Sequence, residues 1–126
     1  MRKEQILVKT KMCMKQLVED LKRLEQGESL EGYELAFYMQ GLEQGLRLAD
    51  TDKITVLLSD VCRYTFEPYM ALEKERIDIA IRYFRSSIMH LYLIAQSLLK
   101  DIGDSDGASV YVDELFKEVF TGAVSN

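Results

Sequence analysis

The segment IDIAIRYFRSSIMHLYLIAQSLLK, residues 77–100, contains the clearest periodic pattern in the chain. Its apolar residues recur in alternating steps of four and three, at Ile77, Ile81, Phe84, Ile88, Leu91, Ala95 and Leu98. This spacing places them on one side of an α-helix, as in the apolar stripe of a helical bundle. The sequence predicts one helix of about 30 residues here, from about Pro68 to Lys100.

Two further helices are predicted in the first half of the chain. The first runs from about residue 3 to residue 26, and Gly27 ends it because glycine accepts the left-handed conformation that follows many helices. Ser29 can cap the second helix through its side-chain oxygen. The apolar residues that we expect on the core side of the second helix are Leu35, Tyr38, Met39, Leu42, Leu46 and Ala49.

A third helix and a short last helix complete the predicted fold. The third begins after the break and cap at 50–52 and stops near Glu67, since the residue before a proline avoids helical geometry. The last covers 110–120, after turn-forming residues at 101–107. We therefore expect an all-α bundle of four main helices plus a short C-terminal helix. It forms a single domain over 1–126, with frayed ends at 1–2 and 121–126.

Composition and charge limit the classes of protein to which this chain could belong. The chain has 126 residues and a net charge of −5, and it contains neither a long apolar run nor a secretory signal pattern. Residues 1–15 have five basic side chains and one acidic, a balance of +4, whereas the remainder has eleven basic and twenty acidic, a balance of −9. The acidic remainder argues against a nucleic-acid binder and favours a basic protein partner. Two cysteines without a CxxC spacing predict free thiols and a cytoplasmic location.

Two features predict contact surfaces. The segment CRYTFEPYM, residues 62–70, concentrates Tyr64, Phe66 and Tyr69, a composition typical of protein-binding sites. The alternative is that these rings close the end of the bundle. Gly41 and Gly45, spaced i and i+4, would let a neighbouring helix approach closely. The predicted fourth helix is about twice as long as the third, so part of its apolar stripe needs another cover. Either the fifth helix, folded back, or a second copy of the chain would supply that cover, and we expect a homodimer.

Arg85, His90 and Tyr92 form the pattern R-x4-H-x-Y, which contains the single histidine of the chain. The pattern resembles the signature of the HEPN superfamily, in particular its HepT-type toxins. The resemblance implies a metal-independent ribonuclease in which the arginine and histidine cut RNA, usually across a dimer. Residues five apart on a helix point about 140° away from each other, so one chain alone would not bring Arg85 and His90 together. The alternative interpretation is that His90, which lies beside the apolar stripe, hydrogen-bonds to a neighbouring helix or to water and does no chemistry.

Metal and cofactor sites have little support. The acidic segment 103–114 is similar to a calcium loop through Asp104, Asp106 and Asp113, but Ile102 occupies the position of the first oxygen ligand. One histidine cannot supply a di-iron site, and the cysteines do not form a zinc-binding pair. We therefore expect no metal and no cofactor.

The leading functional expectation is a non-enzymatic protein that binds another protein, as an inhibitor or immunity protein, a chaperone or an adaptor. The first alternative is the HEPN-like ribonuclease, with Arg85, His90 and Tyr92 in its site. The second alternative is a structural subunit of a larger assembly. Nucleic acid is an expected partner only for the ribonuclease, and no membrane partner is expected.

Overall fold

The computed structural model describes residues 2–49, 52–103 and 107–120. These residues form five α-helices and no β-strand: α1 Lys3–Glu25, α2 Glu34–Arg47, α3 Lys53–Lys74, α4 Ile77–Ile102 and α5 Ala108–Phe120. The expected bundle of four main helices and a short C-terminal helix is confirmed. None of the five helices combines the length and the apolar character that crossing a bilayer requires.

The helix α4 lies at the centre of the bundle and packs against α1, α3 and α5, whereas α2 packs mainly on α3. Two ion pairs show that α1 and α4 are antiparallel. The Lys3 ammonium lies 3.0 Å from the Asp101 carboxylate, and the Arg85 guanidinium lies 2.6 Å from the Glu25 carboxylate. The first pair joins the start of α1 to the end of α4, and the second joins the end of α1 to the first half of α4.

The predicted apolar stripe of α4 forms the middle of the core. Five of its members are buried, namely Phe84, Ile88, Leu91, Ala95 and Leu98. Ile77, the first residue of the helix, is exposed. The helix continues without a break through Ser86 and Ser87, and the Ser87 side chain is itself buried.

Two predicted helix ends are wrong, and both errors concern Pro68. The helix α3 continues through Pro68 to Lys74, and the chain turns at Glu75 and Arg76, whose backbones are extended. Proline removes one backbone hydrogen bond, but the Pro68 ring is buried and Tyr69 after it also packs into the core. Burial of the proline ring and of Tyr69 offsets part of the cost of a proline within the helix.

The observed lengths remove one argument for a dimer. The helix α3 has 22 residues and α4 has 26, so they span about 33 Å and about 39 Å at 1.5 Å per residue. The third helix therefore covers most of the fourth. A mismatch in helix length gives no reason for a second chain.

The end of α1 and the start of α3 follow the predicted sequence signals, whereas the start of α2 does not. Gly27 has φ +84°, and Asp52 caps α3 by accepting a hydrogen bond of 2.7 Å from the Thr55 backbone N–H, both as predicted. Ser29 does not cap α2, which begins five residues later at Glu34. The predicted fraying at 121–126 and the acidic turn residues at 104–106 lie outside the described residues.

Candidate functional site

The outward side of α2 is the most distinctive surface of the described chain. Its exposed residues recur at helical spacing, and we call them the α2 face: Phe37, Tyr38, Gly41, Gln44, Gly45 and Leu48. Phe37 is 53% exposed and Leu48 is 92% exposed. The second helix was expected to turn Tyr38 toward the core, and that prediction is wrong because the core side of α2 is centred on Ala36 and Met39.

The α2 face has no charged residue, although exposed Glu34 adjoins it one turn before Phe37 and Tyr38. Between Glu34 and Arg47 the helix contains one charged side chain, Glu43, which is buried. Its carboxylate accepts a hydrogen bond of 2.8 Å from the Arg47 guanidinium. A helix on the outside of a soluble protein normally shows charged residues to water, so this uncharged face is unusual.

The two glycines of this face are not explained by packing inside the chain. A Cβ built on Gly41 or on Gly45 would meet no atom within 4 Å. Each glycine destabilises the helix by about 1 kcal/mol relative to alanine. The close helix approach predicted at these positions therefore does not occur within the chain, and a contact there with another molecule stays a prediction.

The three predicted contact aromatics point in different directions. The Phe66 ring lies 6.4 Å from the Phe37 ring and so adjoins the α2 face. Tyr64 instead packs against α4. Tyr69 is only 3% exposed and donates its hydroxyl hydrogen to Asp20 of α1. These rings do not share one surface, and Tyr69 belongs to the core.

Arg85 and Tyr92 of the R-x4-H-x-Y pattern lie on the side of α4 that faces α5. The Arg85 guanidinium pairs with Glu25 at 2.6 Å and donates a hydrogen bond of 3.2 Å to the backbone oxygen of Val119. The Tyr92 hydroxyl donates to Asp113 at 2.6 Å, and this hydrogen bond raises the pKa of Tyr92. Both side chains are already engaged in holding neighbouring helices to α4.

His90 lies on another side of α4, against α3. Its ring stacks on Tyr64 with 4.4 Å between centroids, and Nδ1 lies 2.7 Å from the Ser86 backbone oxygen. A carbonyl oxygen can only accept, so Nδ1 carries the hydrogen of this bond. The fold thus separates His90 from Arg85 within one chain. A cleft that joins them across two chains, as the resemblance implies, stays a prediction.

The two cysteines are buried, and no disulfide joins them. Burial raises the pKa of the Cys13 thiol to about 11 and that of the Cys62 thiol to about 12. Neither thiol is therefore an active nucleophile near neutral pH, since the thiolate is the reactive form. Within the described ranges, no group of three or more His, Cys, Asp or Glu residues could hold a metal ion.

An open hollow of about 440 Å³ lies where α3 turns into α4. Its lining is Glu67, Met70, Ala71, Lys74, Glu75 and Tyr83. Neither a histidine nor a cysteine is present in this lining, and the hydrogen bonds of the described residues do not join its carboxylates to a nucleophile. The residues of this lining therefore do not form a recognisable group of catalytic side chains.

Phe37, Gly41, Gly45 and Leu48 are spaced four, four and three residues apart, and this helical spacing could have shown from the sequence that they share one side of a helix. Such a pattern resembles a core stripe, and only the fold shows that it faces outward.

Comparisons of the chain with protein-family models, with curated proteins and with solved structures found no match. Function is therefore inferred from the geometry of the chain itself.

Proposed function

We propose that this chain is a non-enzymatic protein that acts by binding another protein through the α2 face. The observation that supports this proposal most strongly is the exposed, uncharged outer side of α2, with Phe37 and Leu48 at its two ends. Burial of apolar area is the main favourable term in protein association, at about 25 cal/mol per Å². Aromatic side chains such as Phe37 and Tyr38 are typical anchors of such contacts.

The glycines support a helix as the binding element of the partner. Without side chains at Gly41 and Gly45, the backbone of α2 is accessible between Phe37 and Leu48. A helix lying across α2 could approach closely at this point, which would offset the cost of two glycines in a helix. Contact with a partner would thus explain the two glycines, which packing inside the chain does not explain.

A second copy of this chain is the first partner to consider. In a two-fold dimer the same face meets itself, so Gly41 and Gly45 of both copies would lie at the crossing point. Each copy has a net charge of −5, and an uncharged face keeps like charges away from such a contact. The homodimer is part of this proposal, as is a cytoplasmic location, which the buried free thiols support.

The proposal covers inhibitor, immunity, chaperone and adaptor proteins alike. A structural subunit would use the same kind of face, but no contact in the chain favours that class over the others. The contacts of Arg85, His90 and Tyr92 give no support to a ribonuclease within one chain, since each side chain is engaged with a different neighbour.

The test combines sedimentation with capture of partners from the native cell. The double variant Gly41→Ala/Gly45→Ala adds two methyl groups to the α2 face, where the chain itself leaves space. We expect it to fold and to weaken association, with itself or with a captured protein, by about tenfold or more. Ser97→Ala is the matched control, because it replaces an exposed helical residue on α4, away from the α2 face.

The results separate the proposal from its alternatives. If the wild-type chain is monomeric at micromolar concentration, the homodimer is excluded and the captured partner becomes the readout. If the double variant keeps every association of the wild type at equal strength, the α2 face is not the binding surface.

A further inference from the structure

The outward side of α1 forms a second exposed surface, which differs from the α2 face in its charge. We call it the α1 face, and it consists of Val8, Lys9, Lys11, Met12 and Lys15. Val8 is 59% exposed and Met12 is 44% exposed, one helical turn apart. Two apolar side chains are thus surrounded by three lysines.

Two tyrosines flank the α1 face. The Lys9 ammonium lies 5.5 Å from the centre of the Tyr38 ring on α2, and the Lys11 ammonium lies 5.9 Å from the centre of the Tyr111 ring on α5. These cation–π contacts hold the two lysines on opposite sides of α1.

The lysines of this face have no carboxylate partner among the described residues. Within the described ranges, none of Lys9, Lys11 and Lys15 forms an ion pair, although most arginines there do. The charge belongs to the basic segment 1–15, which stands at +4, whereas the rest of the chain stands at −9. A basic face on an acidic chain is complementary to an acidic ligand.

The face is short and has an acidic residue at each end. Val8 and Lys15 are about 10 Å apart along the helix, at 1.5 Å per residue. Exposed Glu4 lies one turn before Val8, and exposed Glu19 lies one turn after Lys15. The positive region therefore covers two to three turns of a helix and then ends.

We propose that the α1 face is a second docking surface, and that it takes a short acidic amphipathic helix of a partner protein. Apolar side chains of that helix would lie on Val8 and Met12, and its carboxylates would pair with the three lysines. Helix-in-groove recognition of this kind uses anchors spaced three and four residues apart. The inference goes beyond the proposed function, because it concerns another face and a partner of defined charge.

The size of the face argues against the other acidic ligands. A nucleic acid or an anionic membrane extends well beyond about 10 Å and would also meet Glu4, Glu19 and the acidic remainder of the chain. The resulting repulsion opposes binding of both. A helix of two to three turns stays within the positive region and avoids this repulsion.

The test uses the full chain and a labelled peptide of about 10 residues, or two to three helical turns, with leucines spaced three and four apart and glutamates on both flanks. We expect saturable binding by fluorescence anisotropy, weaker at high salt. The triple variant Lys9→Gln/Lys11→Gln/Lys15→Gln should weaken binding by about tenfold or more. Val8→Ser/Met12→Ser should also weaken it, because the apolar contact is lost.

A matched control keeps the total charge equal. Lys53→Gln/Lys74→Gln/Lys100→Gln removes three exposed lysines elsewhere, with the same change in net charge. We expect this variant to bind the peptide as the wild type does. Circular dichroism verifies that every variant keeps its helices.

Several results would overturn the inference. These are the absence of peptide binding, an equal loss in both lysine variants, and no effect of Val8→Ser/Met12→Ser. Tighter binding to phosphatidylserine vesicles or to single-stranded RNA, lost in the α1 variant, would assign the face to one of those ligands instead. The Gly41→Ala/Gly45→Ala variant leaves the α1 face intact, so the two proposals succeed or fail separately.

Discussion

Tyr69 of α3 donates its hydroxyl hydrogen to the side-chain carboxylate of Asp20 on α1, and both residues are buried. The same carboxylate oxygen accepts a second hydrogen bond of 3.0 Å from the Gln16 amide. A buried carboxylate needs such donors, because removal from water is costly without them. This bond joins α1 and α3 through two residues that are 49 positions apart in the sequence, and it identifies Tyr69 as a core residue.

Removal of this hydroxyl should destabilise the fold. We expect Tyr69→Phe to lower the free energy of unfolding by about 1–3 kcal/mol, since Asp20 loses a buried donor. Urea denaturation followed by circular dichroism measures the change. Tyr83→Phe removes an exposed hydroxyl on α4 and should change stability by less than about 0.5 kcal/mol. Equal stability of Tyr69→Phe and the wild type would contradict the role of this bond.

The proline inside α3 should be a net cost to stability. Pro68→Ala restores a backbone N–H that can donate to the Tyr64 carbonyl, and proline costs about 3 kcal/mol within a helix. Loss of the buried ring offsets part of this gain, at about 0.8 kcal/mol for each CH₂ group. We expect a rise in the free energy of unfolding of about 1 kcal/mol. A marked loss of stability would show that ring packing outweighs the backbone effect.

The glycines of the α2 face should be replaceable in the free chain. Because nothing lies within 4 Å of a Cβ at Gly41 or Gly45, each change to alanine should raise the free energy of unfolding by about 1 kcal/mol. Thermal or urea unfolding of each single variant, at a concentration where the chain is monomeric, measures this. A loss of stability at either position would reveal a contact within the chain.

His90 should contribute to stability and not to catalysis. His90→Ala removes the stacking on Tyr64 and the hydrogen bond to the Ser86 carbonyl, so we expect a loss of about 1 kcal/mol in the free energy of unfolding. We expect the wild-type chain to leave single-stranded RNA uncut. RNA cleavage that is lost in both His90→Ala and Arg85→Ala, with helicity unchanged, would establish the ribonuclease.

The buried thiols should make the fold sensitive to alkali. The pKa of Cys13 rises from 9.0 to about 11 and that of Cys62 from 9.0 to about 12, through burial. Above about pH 9 the unfolded chain therefore loses protons that the folded chain keeps, and stability falls as pH rises. Each thiol contributes up to about 1.4 kcal/mol per pH unit in this range.

Urea denaturation at about pH 8 and about pH 10 measures this dependence. Cys13→Ser/Cys62→Ser should show a smaller decrease between the two conditions, because serine does not ionise there. An identical decrease in the wild type and the double variant would show that other groups, such as Tyr69, are responsible. Burial also raises the pKa of that phenol.

Much of the fold could be predicted because its signals are local. The apolar period of α4 from Phe84 to Leu98, the turn at Gly27 and the Asp52 cap each depend on residues within a few positions of one another. Helical spacing and backbone geometry act over that same range. The effect of such residues on local structure therefore does not depend on where the tertiary fold places them.

The sequence by itself determined the helical class, most helix bounds and the buried stripe of α4. It also predicted Gly41, Gly45 and Phe66 as contact residues, which stays a prediction, but it did not show that they lie near one exposed side of α2. The tertiary structure decided that α3 passes through Pro68, that Tyr69 is buried on Asp20, and that Phe37 and Leu48 face outward. Periodicity shows which residues share a side of a helix, whereas only the packing of neighbouring helices decides whether that side meets the core or water.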